Sequence, residues 1–426
     1  MEQKENHKRI AMFSIHSDPL ASLGSQESGG QNIYVRYLAE ELGRLGWEVD
    51  IFTRLDNPRK NQIARISKNS RVIRLKGGPV GYVPKKELFS FLPEIFDNFL
   101  HFINFENPYI LFHGHYWDGG AVALEAFKKF QKPFVQNFHS IGIVRVETKK
   151  RFLDNGSVDN SYVESRTEME KEIIKNSSVI ISLAESEKQS LIQFYGCPEE
   201  KVQVIRGGVD VKHWPLIEKE KARDTLGLDK KSFVILFVGR LEWRKGIGTI
   251  ISAARLLREK ITGLKILIVG GKIFGRDINA ADFKEYKRLQ KKAEEEGVGD
   301  ILSFAGSMDH GRLPAYYRSA DVFVVPSYYE PFGLVVLEGM ASKVPVIASS
   351  VGGLAITIKD GKTGLLFEPR NALSLQEKIM ELYKSESLAS VLVQNAFEEI
   401  SKNYSWQNVT EKIAVIYNSL ITGESK

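Results

Sequence analysis

Two cations and two carboxylates stand in a fixed order in the second half of this 426-residue sequence. Gly239-Arg240 and Arg244-Lys245-Gly246 come first, then Glu330-Pro331-Phe332-Gly333-Leu334-Val335-Val336-Leu337-Glu338. The apolar run Phe233–Val238 ends at Gly239, so Arg240 leaves the carboxyl end of an expected strand. Open α/β sheets bind ligands at that end. Lys245 opens the next helical stretch, where a cation opposes the helix dipole and lowers stability. The placement makes sense if a diphosphate sits between Arg240 and Lys245; an exposed basic loop explains it poorly. Glu338 lies one turn inside the apolar stretch Leu334–Ala341. A lone buried carboxylate is costly. Glu338 is therefore paired, or bound to vicinal hydroxyls such as those of a ribose, or set on the exposed edge of the helix. The amides of Gly333, Leu334 and Val335 can also face phosphate.

The first half carries Gly29-Gly30-Gln31-Asn32 between a strand and a helix. It reads either as an anion-binding turn or as a tight connection. His115-Tyr116-Trp117 and His139-Ser140 follow two neighbouring expected strands and could open on one crevice. A lone histidine is usually a satisfied structural residue; two at adjacent strand ends weaken that alternative without removing it.

Several chemistries are excluded by what the sequence lacks. No Asp-x-Asp pair is present to hold a metal, so no metal is expected. There is no phosphate-binding Gly-x-x-x-x-Gly-Lys-Ser/Thr loop. Gly246-Ile247-Gly248 begins like a dinucleotide fingerprint, but Ile251 replaces its third glycine. The chain is 43% apolar and 26% charged with net charge +6, and acids and bases are interspersed, as over 284–296. That pattern suits a solvated surface and phosphate ligands rather than a nucleic-acid reader. No apolar run is long enough to span a bilayer. Residues 1–9 are polar and charged, and Cys197 is the single cysteine, so no internal disulfide forms. A cytoplasmic protein is expected, and the sequons at Asn155, Asn176, Asn403 and Asn408 are then chance matches.

The elements that must hold these residues alternate along the whole chain, as in parallel α/β sheets. Strands are expected at 9–15, 49–53, 71–75, 109–112, 134–138, 179–183 and 202–205, then at 233–238, 265–269, 301–305, 322–325 and 344–348. Helices are expected at 30–45, 86–102, 118–130, 161–175 and 186–195, with others between the later strands and three at the end. A hinge falls at Arg206-Gly207-Gly208-Val209-Asp210, before Trp214-Pro215. Two Rossmann-like domains follow, an acceptor-side domain over 1–208 and a nucleotide-sugar domain over 209–400. A C-terminal helix over 401–426 returns towards the first.

The ordered cations and carboxylates resemble the donor site of glycosyltransferase family 4, and the resemblance extends over nearly the whole chain. In the first half, His16-Ser17-Asp18-Pro19-Leu20, Gly29-Gly30-Gln31-Asn32-Ile33-Tyr34-Val35, Ile51-Phe52-Thr53-Arg54, His115-Tyr116-Trp117 and His139-Ser140 resemble two subgroups. One is sucrose-phosphate synthase with its sucrose-synthase relatives; the other glycosylates inositol phosphate. The resemblance implies the GT-B architecture, two Rossmann-like domains facing a central cleft. It also implies a retaining hexosyltransferase that takes glucose from UDP-glucose without a metal.

By position, it implies that Arg240 and Lys245 clamp the diphosphate, Glu338 holds the ribose and Glu330 holds donor-sugar hydroxyls. Gly29 and Gly30 touch the diphosphate, and His139 contacts the donor sugar. Lys85, Tyr116, Ser140 and Arg166 match contacts to an acceptor phosphate, and Gln31 matches an acceptor contact. The partners are then a nucleotide-sugar and a small phosphorylated sugar or polyol, with no nucleic acid. Phe138 stands where a sucrose-phosphate synthase carries lysine, and 141–159 follows neither subgroup. Two rivals remain. One is a hexosyltransferase building a lipid-linked or capsular glycan, with Phe89, Phe91, Leu92, Ile95, Phe96, Phe99 and Phe102 as a lipid-facing stripe. The other is a nucleotide-sugar-binding module without catalysis.

Overall fold

A computed structural model describes residues 8–21, 29–144, 146–147, 160–274, 278 and 280–423. Most of 141–159, and with it Asn155, lies outside the described residues. The described chain divides into two compact units. The first comprises 8–21, 31–207 and 406–423, and the second 29–30 and 208–405.

The first unit holds β1 (Arg9–Phe13), β2 (Glu48–Arg54), β3 (Ile63–Arg65), β4 (Ser70–Leu75), β5 (Leu111–His115), β6 (Phe134–Asn137), β7 (Val179–Ser182) and β8 (Val202–Val204). They form one sheet in the order β3-β4-β2-β1-β5-β6-β7-β8. All the pairings are parallel except β3 with β4. Every residue of β1 is buried, as expected of a parallel strand covered on both faces. The sequence order reverses at β1, which pairs with both β2 and β5. Such a reversal leaves a crevice beyond the strands' carboxyl ends.

The second unit repeats the plan with β9 (Phe233–Val238), β10 (Leu264–Val269), β11 (Leu302–Gly306), β12 (Val322–Val325), β13 (Val346–Ser349) and β14 (Leu365–Phe367). The order is β11-β10-β9-β12-β13-β14, wholly parallel, and the reversal falls at β9. The C-terminal helix Trp406–Thr422 belongs to the first unit, where Tyr417 donates to or accepts from His113 Nδ1 at 2.5 Å.

β3 and β14 were not expected; each is three residues long and lies at an edge of its sheet. The expected helix over 86–102 divides into a 3-10 turn, Lys85–Phe91, and an α-helix, Leu92–Leu100. Pro93, in the first turn of the α-helix, explains the break, since it has no N–H to bond back to the preceding turn. The phenylalanine stripe faces inward. Ile95 and Phe99 are in the core, with Phe91, Leu92, Phe96 and Phe102 packed against it, and Phe89 stacks on Trp117 at 4.1 Å. The stripe thus packs on the core of its own unit, the bland alternative to a lipid-facing surface. Among the described residues no helix is long and apolar enough to cross a membrane.

Candidate active site

In the second unit, β9 and β12 are neighbours, so the loops at their carboxyl ends lie side by side. The first carries Arg240 and Lys245, the second Glu330. Lys245 ends a 3-10 turn, Trp243–Lys245, just before the helix Ile247–Leu257. Gly246 has φ +67°, and a Cβ there would lie 1.9 Å from the carbonyl oxygen of Pro326. Only glycine lets the Lys245 turn sit this close to the β12 loop. Lys245 Nζ then reaches Glu330 Oε2 at 2.5 Å. Burial pushes the Lys245 ammonium below its ordinary value, and Glu330 works against that. Burial pushes Glu330 up, but the Lys245 and Arg244 cations hold its carboxyl below its ordinary value. We take the pair as ionised on both sides.

Glu242, absent from the sequence reading, ties the cations together. It accepts from Arg240 at 2.6 Å and from Arg244 at 2.6 Å. Gly352 and Gly353 were also missed. Cβ atoms on them would fall 2.5 Å from the Glu330 carbonyl oxygen and 2.2 Å from that of Pro331. The Gly-Gly pair was the available signal: it lets a second loop support the Glu330 loop backbone to backbone. Gly29 and Gly30 group with this unit. A Cβ on Gly29 would lie 4.0 Å from Arg240 Nε, and one on Gly30 would lie 3.4 Å from Leu334 Cδ1.

Gly333, at φ +81°, starts the helix Leu334–Ala341, and its first amides include those of Leu334 and Val335. Glu338 is buried there and already has protein partners. Its Oε2 accepts from the Tyr317 hydroxyl at 2.8 Å, and its Oε1 lies 3.2 Å from His310 Nε2. Of the alternatives, the paired carboxylate is the one found, and the exposed helix edge is excluded. Tyr317 and His310 come from other parts of the chain and carried no signal.

In the first unit most of the flagged residues end or follow β1, β5 or β6, and Lys85 follows β4. His16 Nδ1 lies 2.6 Å from a carboxylate oxygen of Asp118, which the sequence reading passed over. His115 Nδ1 lies 3.0 Å from His139 Nε2. Burial lowers His139 to about 3, and His113 to about 3 as well. Both imidazoles are therefore neutral at pH 7. Tyr116 and His139 have φ +65° and +57°. Side chains other than glycine rarely adopt such angles, at a cost of about 1–3 kcal/mol each, and they cluster at functional sites. Gln136 Nε2 donates to the Tyr116 carbonyl at 2.8 Å and helps hold that conformation.

Lys85, Tyr116, Ser140 and Arg166, distant in sequence, converge. Lys85 Nζ sits 4.9 Å from the centre of the Tyr116 ring. Arg166 donates from Nη1 to the Tyr116 hydroxyl at 2.7 Å and from Nη2 to the Ser140 carbonyl at 2.5 Å. Its Nε pairs with Glu170 at 2.8 Å, and both are buried. Each Arg166 nitrogen thus has a protein acceptor. Arg166 is first a support for Tyr116 and Ser140, not the open bidentate fork its type suggests. Gln31 donates to the Ser14 hydroxyl at 3.1 Å, just beyond β1.

The family model described as Glycosyltransferase Family 4 matches residues 28–213, and that described as Glycosyl transferases group 1 matches 218–399. The chain is 32% identical over 423 residues to a D-inositol 3-phosphate glycosyltransferase of Corynebacterium glutamicum (strain R), covering 98% of each chain. It is 34% identical to the protein of that name from Corynebacterium jeikeium (strain K411), covering 97% of each. Among solved structures it resembles the sucrose-phosphate synthase of Thermosynechococcus elongatus. The TM-score is 0.89 at 34% identity, covering 98% of this chain and 100% of that one.

Proposed function

The chain belongs to glycosyltransferase family 4, and on that premise we propose that it moves glucose from UDP-glucose to a phosphorylated sugar or polyol, with retention of configuration and without a metal. The observation that carries the acceptor class is the convergence of Lys85, Tyr116 and Ser140 around Arg166. Lys85 supplies a point charge, and Tyr116 and Ser140 supply hydroxyls. The relatives' names, one an inositol 3-phosphate glycosyltransferase and one a sucrose-phosphate synthase, agree with a phosphorylated small molecule. Fructose 6-phosphate is the first choice, inositol phosphate the second, with Gln31 as a further acceptor contact.

In this reading Arg240 and Lys245 bind the diphosphate, with the amides at Gly333 and Leu334 and the Gly29-Gly30 turn alongside. Glu330 holds donor-sugar hydroxyls and keeps Lys245 in place; Glu338 binds the ribose; His139, neutral, contacts the donor sugar. The bond between the sugar's anomeric carbon and phosphate breaks, and UDP leaves with the electron pair. The acceptor oxygen bonds that carbon on the same face, and its proton passes to a donor-phosphate oxygen. Cations aimed at the growing phosphate charge contribute about 3–4 kcal/mol each. The test crosses a panel of nucleotide-sugars with fructose 6-phosphate, fructose, inositol phosphate and no acceptor. Turnover with UDP-glucose and a phosphorylated acceptor is expected. Equal rates with fructose and fructose 6-phosphate would remove the phosphate site.

A further inference from the structure

The segment Ile51-Phe52-Thr53-Arg54 entered the family resemblance, yet no step of the proposed reaction uses it. Arg54, the last residue of β2, is 5% exposed. Its recorded acceptors are backbone carbonyls: Nη1 donates to Pro79 at 2.9 Å and to Gly77 at 3.4 Å, and Nη2 donates to Gly81. Among the described residues no carboxylate lies within ion-pair distance of it. Burial accordingly pulls the guanidinium below its ordinary value. Burying a cation is costly unless its donors are used. The end of a parallel strand does not itself need one. What the planar fork supplies is simultaneous reach to carbonyls spaced along a loop, which one ammonium cannot match.

That loop is also held from its other side. Gly78 N donates to Glu94 Oε2 at 2.8 Å. Cβ atoms on Gly77 and Gly78 would lie 2.2 Å from Ile95 Cγ1 and 2.7 Å from the Phe91 ring. Glycines thus let the loop lie flush against these side chains. From Gly81 the chain runs through Val83, buried beside Tyr116 and Trp117, to Lys85. Only three residues, Tyr82, Val83 and Pro84, separate the last clamped carbonyl, that of Gly81, from Lys85.

We propose that Arg54 is a positioning residue for acceptor selectivity: by clamping the 77–81 loop it fixes Lys85 over Tyr116, where Lys85 meets an acceptor phosphate. The inference rests on the reading of Lys85 as a phosphate ligand.

Steady-state kinetics of Arg54→Lys, Lys85→Ala and the double variant test it, with UDP-glucose against fructose 6-phosphate and inositol phosphate. Arg54→Lys keeps a cation on the strand but loses the fork. The acceptor KM should rise about tenfold while the UDP-glucose KM and acceptor-free donor hydrolysis stay within about twofold. Because Arg54 acts through Lys85, the double variant should be no worse than Lys85→Ala alone. A fully additive double variant, or donor and acceptor KM rising together, would overturn the role. An unchanged acceptor KM in Lys85→Ala would sink both the phosphate site and this inference. A raised one there, with Arg54→Lys unchanged, would sink this inference alone. If Arg54→Lys does not fold, Glu94→Ala releases the same loop from its exposed side. It should raise the acceptor KM in the same selective way, about two- to fivefold; an unchanged acceptor KM would count against the clamp.

Discussion

Lys245 Nζ lies 2.5 Å from Glu330 Oε2, although the two residues are 85 positions apart. Each holds the other in an ionised, oriented state at the carboxyl ends of two adjacent strands. Removing Glu330 takes away the carboxylate that supports the buried Lys245 ammonium, and removing Lys245 leaves Glu330 to the charge of Arg244.

The first consequence concerns the donor. On the proposed reaction, in which the ammonium acts on charge that grows in the transition state, Lys245→Ala should lower kcat by at least about a hundredfold. Circular dichroism should show an unchanged fold. Near-wild-type turnover would exclude Lys245 from the diphosphate clamp.

In the proposed reaction Arg240 and Lys245 supply the positive charge, so chelation should not matter. Activity in excess EDTA is expected to equal that of the untreated enzyme. Loss of activity that magnesium or manganese restores would contradict the metal-free mechanism.

Glu338 offers a separate test of ribose recognition. Glu338→Gln should weaken UDP binding about tenfold or more in calorimetric titration, since a charged hydrogen-bond partner is worth more than a neutral one. Binding of 2′-deoxy-UDP should change less. Tyr317→Phe should give a smaller loss of the same kind, because Tyr317 only orients the carboxylate through its 2.8 Å hydrogen bond. Equal losses for both nucleotides would make Glu338 structural.

Histidine burial predicts a direction for stability against pH. His113 and His139 fall from an ordinary 6.5 to about 3 in the folded chain. Between those values the unfolded chain binds more protons than the folded one. Their contribution to stability is therefore fully present above pH 6.5 and is lost as pH falls towards 3. The melting temperature should drop steadily from pH 7 to pH 5. A flat profile over that range would mean that the cluster is hydrated or protonated in the native state.

Much of this was legible in the sequence by itself. Alternating apolar runs and amphipathic stretches fix two series of strands and helices, because a residue's neighbours along the chain determine its local period. Glycines and cations directly after apolar runs marked the strand ends where ligands bind. That is why Arg240, Lys245, Glu330, Tyr116 and His139 could be placed in advance beyond the ends of strands. Glu338 was legible as an anomaly, a carboxylate in an apolar helix.

What only the tertiary structure decided is which of these groups meet. Lys245 faces Glu330 because β9 lies between β10 and β12, and strand order in a sheet is not written in any local pattern. Tyr317 and His310 meet Glu338, Glu242 bridges Arg240 and Arg244, and Glu170 occupies Arg166 through contacts with no sequence signature. Arg54 reads as an ordinary strand-end cation until the 77–81 loop folds over it. In each case the residue type sets what a side chain can do. The long-range packing of buried charges, which must find partners once water is excluded, selects what it does.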